Sequence, residues 1–171
     1  MTAKIIKRFN LRINSSTKNI KMEIVCSTDS KYIMPTGIML TSLFESNRGE
    51  VVNVHLLHDQ DSAVLLDSIR TIAARYQQNI HFYLINDDIF KHFPIGLDFQ
   101  VDHVGTSFAT YYRLYLTEIL PADIDKVIYL DGDILVVDKL VKLWNTSVEN
   151  YAIAAVPDSY NNKIEHYNRL R

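Results

Sequence analysis

The chain has 171 residues, 47% of them hydrophobic, with 18 basic and 20 acidic side chains and a formal net charge of −2. These totals fit one globular domain with a sizeable core and exclude wholesale disorder. They also exclude a global positive field for nucleic acid, a bilayer-spanning segment (no run of about 18 apolar residues) and an internal disulfide, since Cys26 is the single cysteine.

The charge is unevenly placed. Residues 1–21 hold six basic residues (Lys4, Lys7, Arg8, Arg12, Lys18, Lys21) and no acidic one, leaving 12 basic against 20 acidic residues in 22–171, a net of −8. We therefore divide the chain into a basic arm, 1–21, and a main domain, 22–171. In the arm, Phe9, Leu11 and Ile13 alternate with polar residues, a period of two that predicts an edge strand. The arm reads either as a solvated tail or as a contact for anionic lipid head groups at the inner face of the cell membrane. The N-terminus lacks the apolar centre of a secretory signal, and a cytoplasmic location is expected.

Glu23–Ser27 predicts the first strand of the domain, with Cys26 as a small core residue. Pro35 opens a predicted helix to Ser46. Val51–His58 is the second predicted strand. Asp61 caps a predicted helix to about Gln78, on which Leu65, Ile69, Ile72 and Tyr76 form an apolar face. Asn79–Ile85 is the third strand. Strand, helix, strand, helix, strand is the order of a right-handed parallel α/β sheet. Residues 86–103 read as a packed excursion with a short helical turn. A helix is predicted over 105–120, apolar except for a stripe of Ser107, Thr110, Arg113 and Thr117. An arginine on so apolar a helix needs an anionic partner: a carboxylate of the motif that follows, or a bound phosphate. Lys139–Trp144 predicts a short helix and Tyr151–Val156 a last strand.

The motif is Val127-Ile128-Tyr129-Leu130-Asp131-Gly132-Asp133. An apolar strand stops at two carboxylates one residue apart, where ligands sit in an open α/β sheet. Desolvating that pair is costly without a positive partner, and a divalent cation with phosphate oxygens would supply one. Gly132 lets a ligand approach the backbone closely. The plainer reading is a turn with two solvated aspartates. Asp29 after the first strand and Asp158 after the last fall on the same sheet edge. Neither a GxxxxGK[ST] loop nor a GxGxxG turn is present. No two of the six histidines have metal-binding spacing.

Ile24-Val25-Cys26-Ser27-Thr28-Asp29-Ser30-Lys31-Tyr32, then Thr110-Tyr111-Tyr112-Arg113-Leu114, then Val127 to Asp133 resemble, in order, the signatures of family 8 retaining glycosyltransferases. The likeness is nearest to bacterial lipopolysaccharide galactosyl- and glucosyltransferases and covers about residues 9–160. The resemblance implies a GT-A (Rossmann-like) α/β fold with helices on both faces of a mostly parallel sheet. It implies a UDP-glucose or UDP-galactose donor, a Mn²⁺ or Mg²⁺ ion and a glycan or lipopolysaccharide acceptor. It assigns Asp131 and Asp133 to the metal, and Asp131 and Gly132 also to the donor. Ser27, Asp29 and Tyr32 fall to the uracil and ribose pocket, Arg113 to the donor, and Asp158 to the sugar and acceptor side as the catalytic candidate. Lys31 departs from the asparagine common beside the base. The family's later motifs, which include a histidine of the metal shell, do not follow Asp158 here, so the chain is expected to be an N-terminal portion. Two rivals stand beside this reading. One is a nucleotide-binding remnant without turnover. The other is a haloacid-dehalogenase-like phosphatase, whose nucleophilic aspartate also follows an apolar strand.

Overall fold

Three apolar runs and the two helices between them set the frame. The computed structural model describes residues 4–7, 20–59, 63–93 and 107–156. The strands are β1 (Lys4–Lys7), β2 (Lys21–Thr28), β3 (Val51–His58), β4 (Asn79–Leu84), β5 (Lys126–Tyr129) and β6 (Ile153–Ala155). The helices are α1 (Ile33–Ser46), α2 (Ala63–Arg75) and two single turns, α3 (Leu116–Ile119) and α4 (Val141–Trp144). The strands form one sheet in the order β4-β3-β2-β5-β1-β6. β2, β3, β4 and β5 are parallel, whereas β1 runs antiparallel to both β5 and β6. The carboxyl ends of β2 and β5 are therefore neighbours on one edge.

Alternation along β2 explains the two cores. Met22, Ile24 and Cys26 point to one face, where α1 supplies Met39, Leu40, Leu43 and Phe44 and α2 supplies Ile69 and Ala73. On α1, the buried positions 33, 36, 37, 40, 43 and 44 recur at three and four, the stripe that a half-buried helix requires. Truncating any of its large members, Leu43→Ala for example, costs about 2–5 kcal/mol. Val25 points the other way, with Leu57 and Tyr129, onto Phe90, Ala109, Tyr112 and Leu116.

Two local expectations are corrected. The continuous helix over 105–120 is not formed. Residues 107–119 run as two 3-10 turns, Phe108–Thr110 and Tyr112–Tyr115, followed by α3. Phe108, Tyr111, Tyr112 and Tyr115 all pack around Phe90, with ring centroids 5.2–6.4 Å away. Spacings of three and four suit an α-helix and a 3-10 path alike, and the tighter path has three residues per turn. Second, Lys4–Lys7 of the basic arm is an interior strand of the sheet, so that part of the arm is no free tail. After the motif, residues 134–137 form an irregular run laid against α1. Several elements are shorter than expected, notably α2 at its C-terminal end, α4 and β6, and the capping residue Asp61 lies outside the described residues. The strand at Phe9–Ile13 and the residues Gly105, Thr106 and Asp158 lie outside the described residues. Among the described residues no helix is long and apolar enough to cross a membrane.

Candidate functional site

At the carboxyl ends of β2 and β5 lies an open cleft of about 300 Å³. Ser27, Thr28, Asp29 and Tyr32 line it from the β2–α1 turn, Ser107, Ala109, Thr110 and Arg113 from the 3-10 segment, and Asp131, Gly132 and Asp133 from the end of β5. Ser27, Asp29, Tyr32, Arg113, Asp131, Gly132 and Asp133 thus share one cleft, and Asp158 lies outside the described residues.

The β2–α1 turn is held by its own aspartate. Asp29 is buried, and its Oδ1 accepts the backbone N–H groups of Lys31 and Tyr32, both at 2.9 Å. This is an Asx turn, the local bond by which an aspartate holds the chain as it leaves a strand. It leaves the second carboxylate oxygen as the acceptor able to serve a ligand. Tyr32 stands at the mouth of the cleft, 37% exposed, where a ring face can stack on a planar group.

Arg113 has the anionic partner its surroundings demand. Its terminal NH2 group donates to Asp131 Oδ1 at 2.8 Å, and its Nε–H to the carbonyl of Thr110 at 2.9 Å. The two side chains are 21% and 29% exposed, so solvent screens the pair only in part. Of the two partners weighed from the sequence, the carboxylate of the motif is the one in place. The polar stripe is also explained. At three residues per turn, Ser107, Thr110 and Arg113 stay in line along the cleft. Thr117, one step out of that register, lines a separate apolar cavity with Leu116, Leu120 and Val127.

Gly132 is needed for a reason the sequence did not disclose. A Cβ there would lie 2.6 Å from Thr36 Oγ1 and 3.4 Å from the Ser27 carbonyl oxygen. The direction a Cβ would take is filled by α1, while Gly132 itself lines the cleft. Thr36 is fully buried and its hydroxyl donates to Thr28 Oγ1 at 3.0 Å. Downstream, α1 also pins the chain that leaves the motif. Ser46 Oγ donates to the Val136 carbonyl at 2.7 Å, Ser42 Oγ accepts the Val136 N–H at 3.0 Å, and Asn47 Oδ1 accepts the Leu140 N–H at 2.8 Å. Thr36, Ser42, Ser46 and Asn47 therefore hold the Asp131–Asp133 turn in place. Their signal in the sequence is slight: small polar residues scattered among apolar ones along α1 and at its C-terminal end.

Residues 23–171 match the protein family described as glycosyl transferase family 8. The chain belongs to that family. It is 30% identical over 139 residues to a putative glycosyltransferase of Haemophilus influenzae, covering 81% of this chain and 40% of that protein. It is 27% identical over 143 residues to the lipopolysaccharide glucosyltransferase WaaO of Escherichia coli, covering 82% of this chain and 39% of the relative. Among solved structures, the galactosyltransferase LgtC with donor and acceptor sugar analogues superposes with a TM-score of 0.64 at 32% identity. That superposition covers 74% of this chain and 43% of LgtC. The family 8 chain thus has the GT-A α/β fold, and it spans about 40% of the length of the curated relatives it matches. The family match removes the dehalogenase-like phosphatase from consideration.

The donor set suits one kind of cation. Asp131 and Asp133 offer hard carboxylate oxygens, which favour Mg²⁺ or Mn²⁺. Among the described residues no group of three or more His, Cys, Asp or Glu side chains could hold a metal ion. Two carboxylates fit a cation shared with a ligand's phosphate oxygens, which is how Mg²⁺ is commonly held.

Proposed function

We propose that this chain carries the donor site of a metal-dependent, retaining hexosyltransferase. The donor is UDP-glucose or UDP-galactose and the acceptor a glycan or lipopolysaccharide core. The observation that carries the reading is the joining of Asp131, Asp133 and the Arg113 guanidinium in a cleft walled by Ser27, Asp29 and Tyr32.

In this reading Asp131 and Asp133 would hold Mn²⁺ or Mg²⁺, which when bound would offset the charge that develops on the leaving UDP. Arg113 aims the Asp131 carboxylate through their 2.8 Å contact and adds positive charge to the cleft that the diphosphate would occupy. Asp29 and Ser27 hydrogen-bond the nucleoside, and Tyr32 covers its ring. Asp158 acts on the sugar and acceptor side. The acceptor hydroxyl attacks the anomeric carbon on the face from which the diphosphate departs, so configuration is retained. The membrane-facing acceptor class is in keeping with the basic arm and with a peripheral cytoplasmic location.

The test is turnover. The purified chain is incubated with UDP-glucose or UDP-galactose and Mn²⁺, and released hexose is followed by proton NMR, which also reads its anomeric configuration. Metal-dependent release of the α-anomer, lost in Asp131→Asn and Asp133→Asn, supports the reading. UDP binding without release from either donor reduces the chain to a nucleotide-binding unit. Release of the β-anomer, or release untouched by both variants, overturns the assignment.

A further inference from the structure

The proposed donor site contains one buried ring whose place that reading does not use. Tyr129 is fully buried at the end of β5, beneath the cleft. In the β2–β5 register it lies opposite Val25, so Ser27, two residues further along β2, is its diagonal neighbour on the same face. The Tyr129 and Ser27 hydroxyls are 2.5 Å apart, and Ser27 Oγ also donates to the Ala109 carbonyl at 2.9 Å. A serine hydroxyl has one proton and a carbonyl has none. The Ser27 proton is therefore committed to Ala109, and Tyr129 must be the donor to Ser27. The same ring carries Arg113 on its face, with Cζ 4.5 Å from the ring centroid. This is cation–π distance.

We infer that Tyr129 is the positioning residue of the donor site, joining its Ser27–Ala109 wall to the Arg113–Asp131 pair. The inference rests on the donor-site reading above and adds to it. One side chain sets two walls by two separable contacts. Its hydroxyl fixes Ser27, and through it the 3-10 segment at Ala109. Its ring fixes the plane of the guanidinium that pairs with Asp131.

The separation makes the inference testable with two variants. Tyr129→Phe keeps the ring and deletes the donated hydrogen bond; Tyr129→Leu deletes both. Two readouts are taken on the full chain. The first needs no ligand: the Nε–H resonance of Arg113 in nitrogen-correlated NMR, assigned by its loss in Arg113→Lys. A ring face beneath the guanidinium gives it a ring-current shift. Tyr129→Phe should leave that shift in place, and Tyr129→Leu should abolish it while the backbone amide spectrum stays folded. The second is binding with Mn²⁺. Tyr129→Phe should weaken UDP about five- to tenfold, the scale of one hydrogen bond, and leave inorganic pyrophosphate unchanged. Tyr129→Leu should weaken both.

An Arg113 resonance unmoved in a folded Tyr129→Leu protein would overturn the inference whether or not UDP binds. If Tyr129→Leu does not fold, Tyr129→Phe decides through the UDP and pyrophosphate pair. Equal losses for both ligands would mean a general structural role and would sink the positioning claim. Failure of the wild-type chain to bind UDP, with the Arg113 resonance behaving as expected, would refute the donor-site reading and leave the coupling of the two walls standing.

Discussion

Replacing Gly132 with alanine should damage the site through α1 and not through backbone strain. Among the described residues the positive-φ positions are Gln77 and Gly49, so Gly132 sits where alanine's backbone is allowed. The damage is steric. The new Cβ would be 2.6 Å from Thr36 Oγ1, closer than any stable contact. Relief requires Thr36 to rotate away from Thr28, which forfeits their 3.0 Å hydrogen bond, or the Asp131–Asp133 turn to shift. Overpacking of a buried site costs about 1–3 kcal/mol and a lost buried hydrogen bond about 1 kcal/mol. Gly132→Ala should then lose about 2–4 kcal/mol of stability and most of its nucleotide affinity. Thr36→Ala removes the offending oxygen, and the contacts that remain, the Ser27 carbonyl oxygen at 3.4 Å and the Thr36 Cβ at 3.7 Å, are at ordinary distances. The double variant Gly132→Ala/Thr36→Ala should therefore be more stable than additivity allows, with a coupling of at least about 1 kcal/mol. Urea denaturation of the four proteins measures this cycle. A Gly132→Ala protein as stable as wild type, or a double variant no better than the sum of the singles, would refute the argument.

Three further outcomes are expected. Cys26 is fully buried and its thiol is pushed up to about 12 by burial, so iodoacetamide at pH 8 should modify the native chain far more slowly than the urea-unfolded chain; equal rates would contradict the core placement. Burial works against the Glu23 carboxylate, but hydrogen bonds from His55, Lys21 and Asn53 outweigh it and hold its pKa below the ordinary 4.5. Its contribution is then full above about pH 4.5 and lost as pH falls through the lowered value, so Glu23→Gln should flatten the acid limb of a stability–pH curve; an unchanged limb would exclude that network as its source. Along β6 and its flanks Tyr151, Ile153 and Val156 are 67%, 55% and 60% exposed, and among the described residues β1 is the only strand paired with it. Light scattering should show mass rising with concentration and Ile153→Lys suppressing the rise; a concentration-independent monomer would contradict this.

The parallel frame was legible because its signals are local. Val52, Val54, Leu56 and Leu57 form a run too short for a helix and too apolar for a surface. The two helices between the strands repeat at three and four. The Asp131–Asp133 turn and Arg113 were legible from chemistry: a carboxylate pair and a half-buried arginine each require an opposite charge, and they supply it to one another. What was not legible depends on tertiary contact. The aromatic spacing of residues 108–115 satisfies an α-helix and a 3-10 path equally, and packing around Phe90 goes with the tighter one. Lys4–Lys7 has four residues and two lysines, too little pattern to announce a strand inside a sheet. That Thr36, 96 residues before Gly132, fills the direction of its Cβ was not legible, since nothing local to the glycine reveals it. Tyr129 read as one more apolar residue of a buried strand, because its hydroxyl has a partner only once β2 lies alongside.

The central claim is that Asp131 and Asp133, supported by Arg113, hold a cation against a nucleoside diphosphate. Calorimetric titration of the chain with UDP, in Mn²⁺ and again in EDTA, tests it most directly. Saturable binding should appear in Mn²⁺ and weaken at least about tenfold, or about 1.4 kcal/mol, in EDTA. Asp131→Asn and Asp133→Asn should each reproduce that loss with Mn²⁺ present. Undiminished UDP binding in EDTA, or in both variants, would contradict the account.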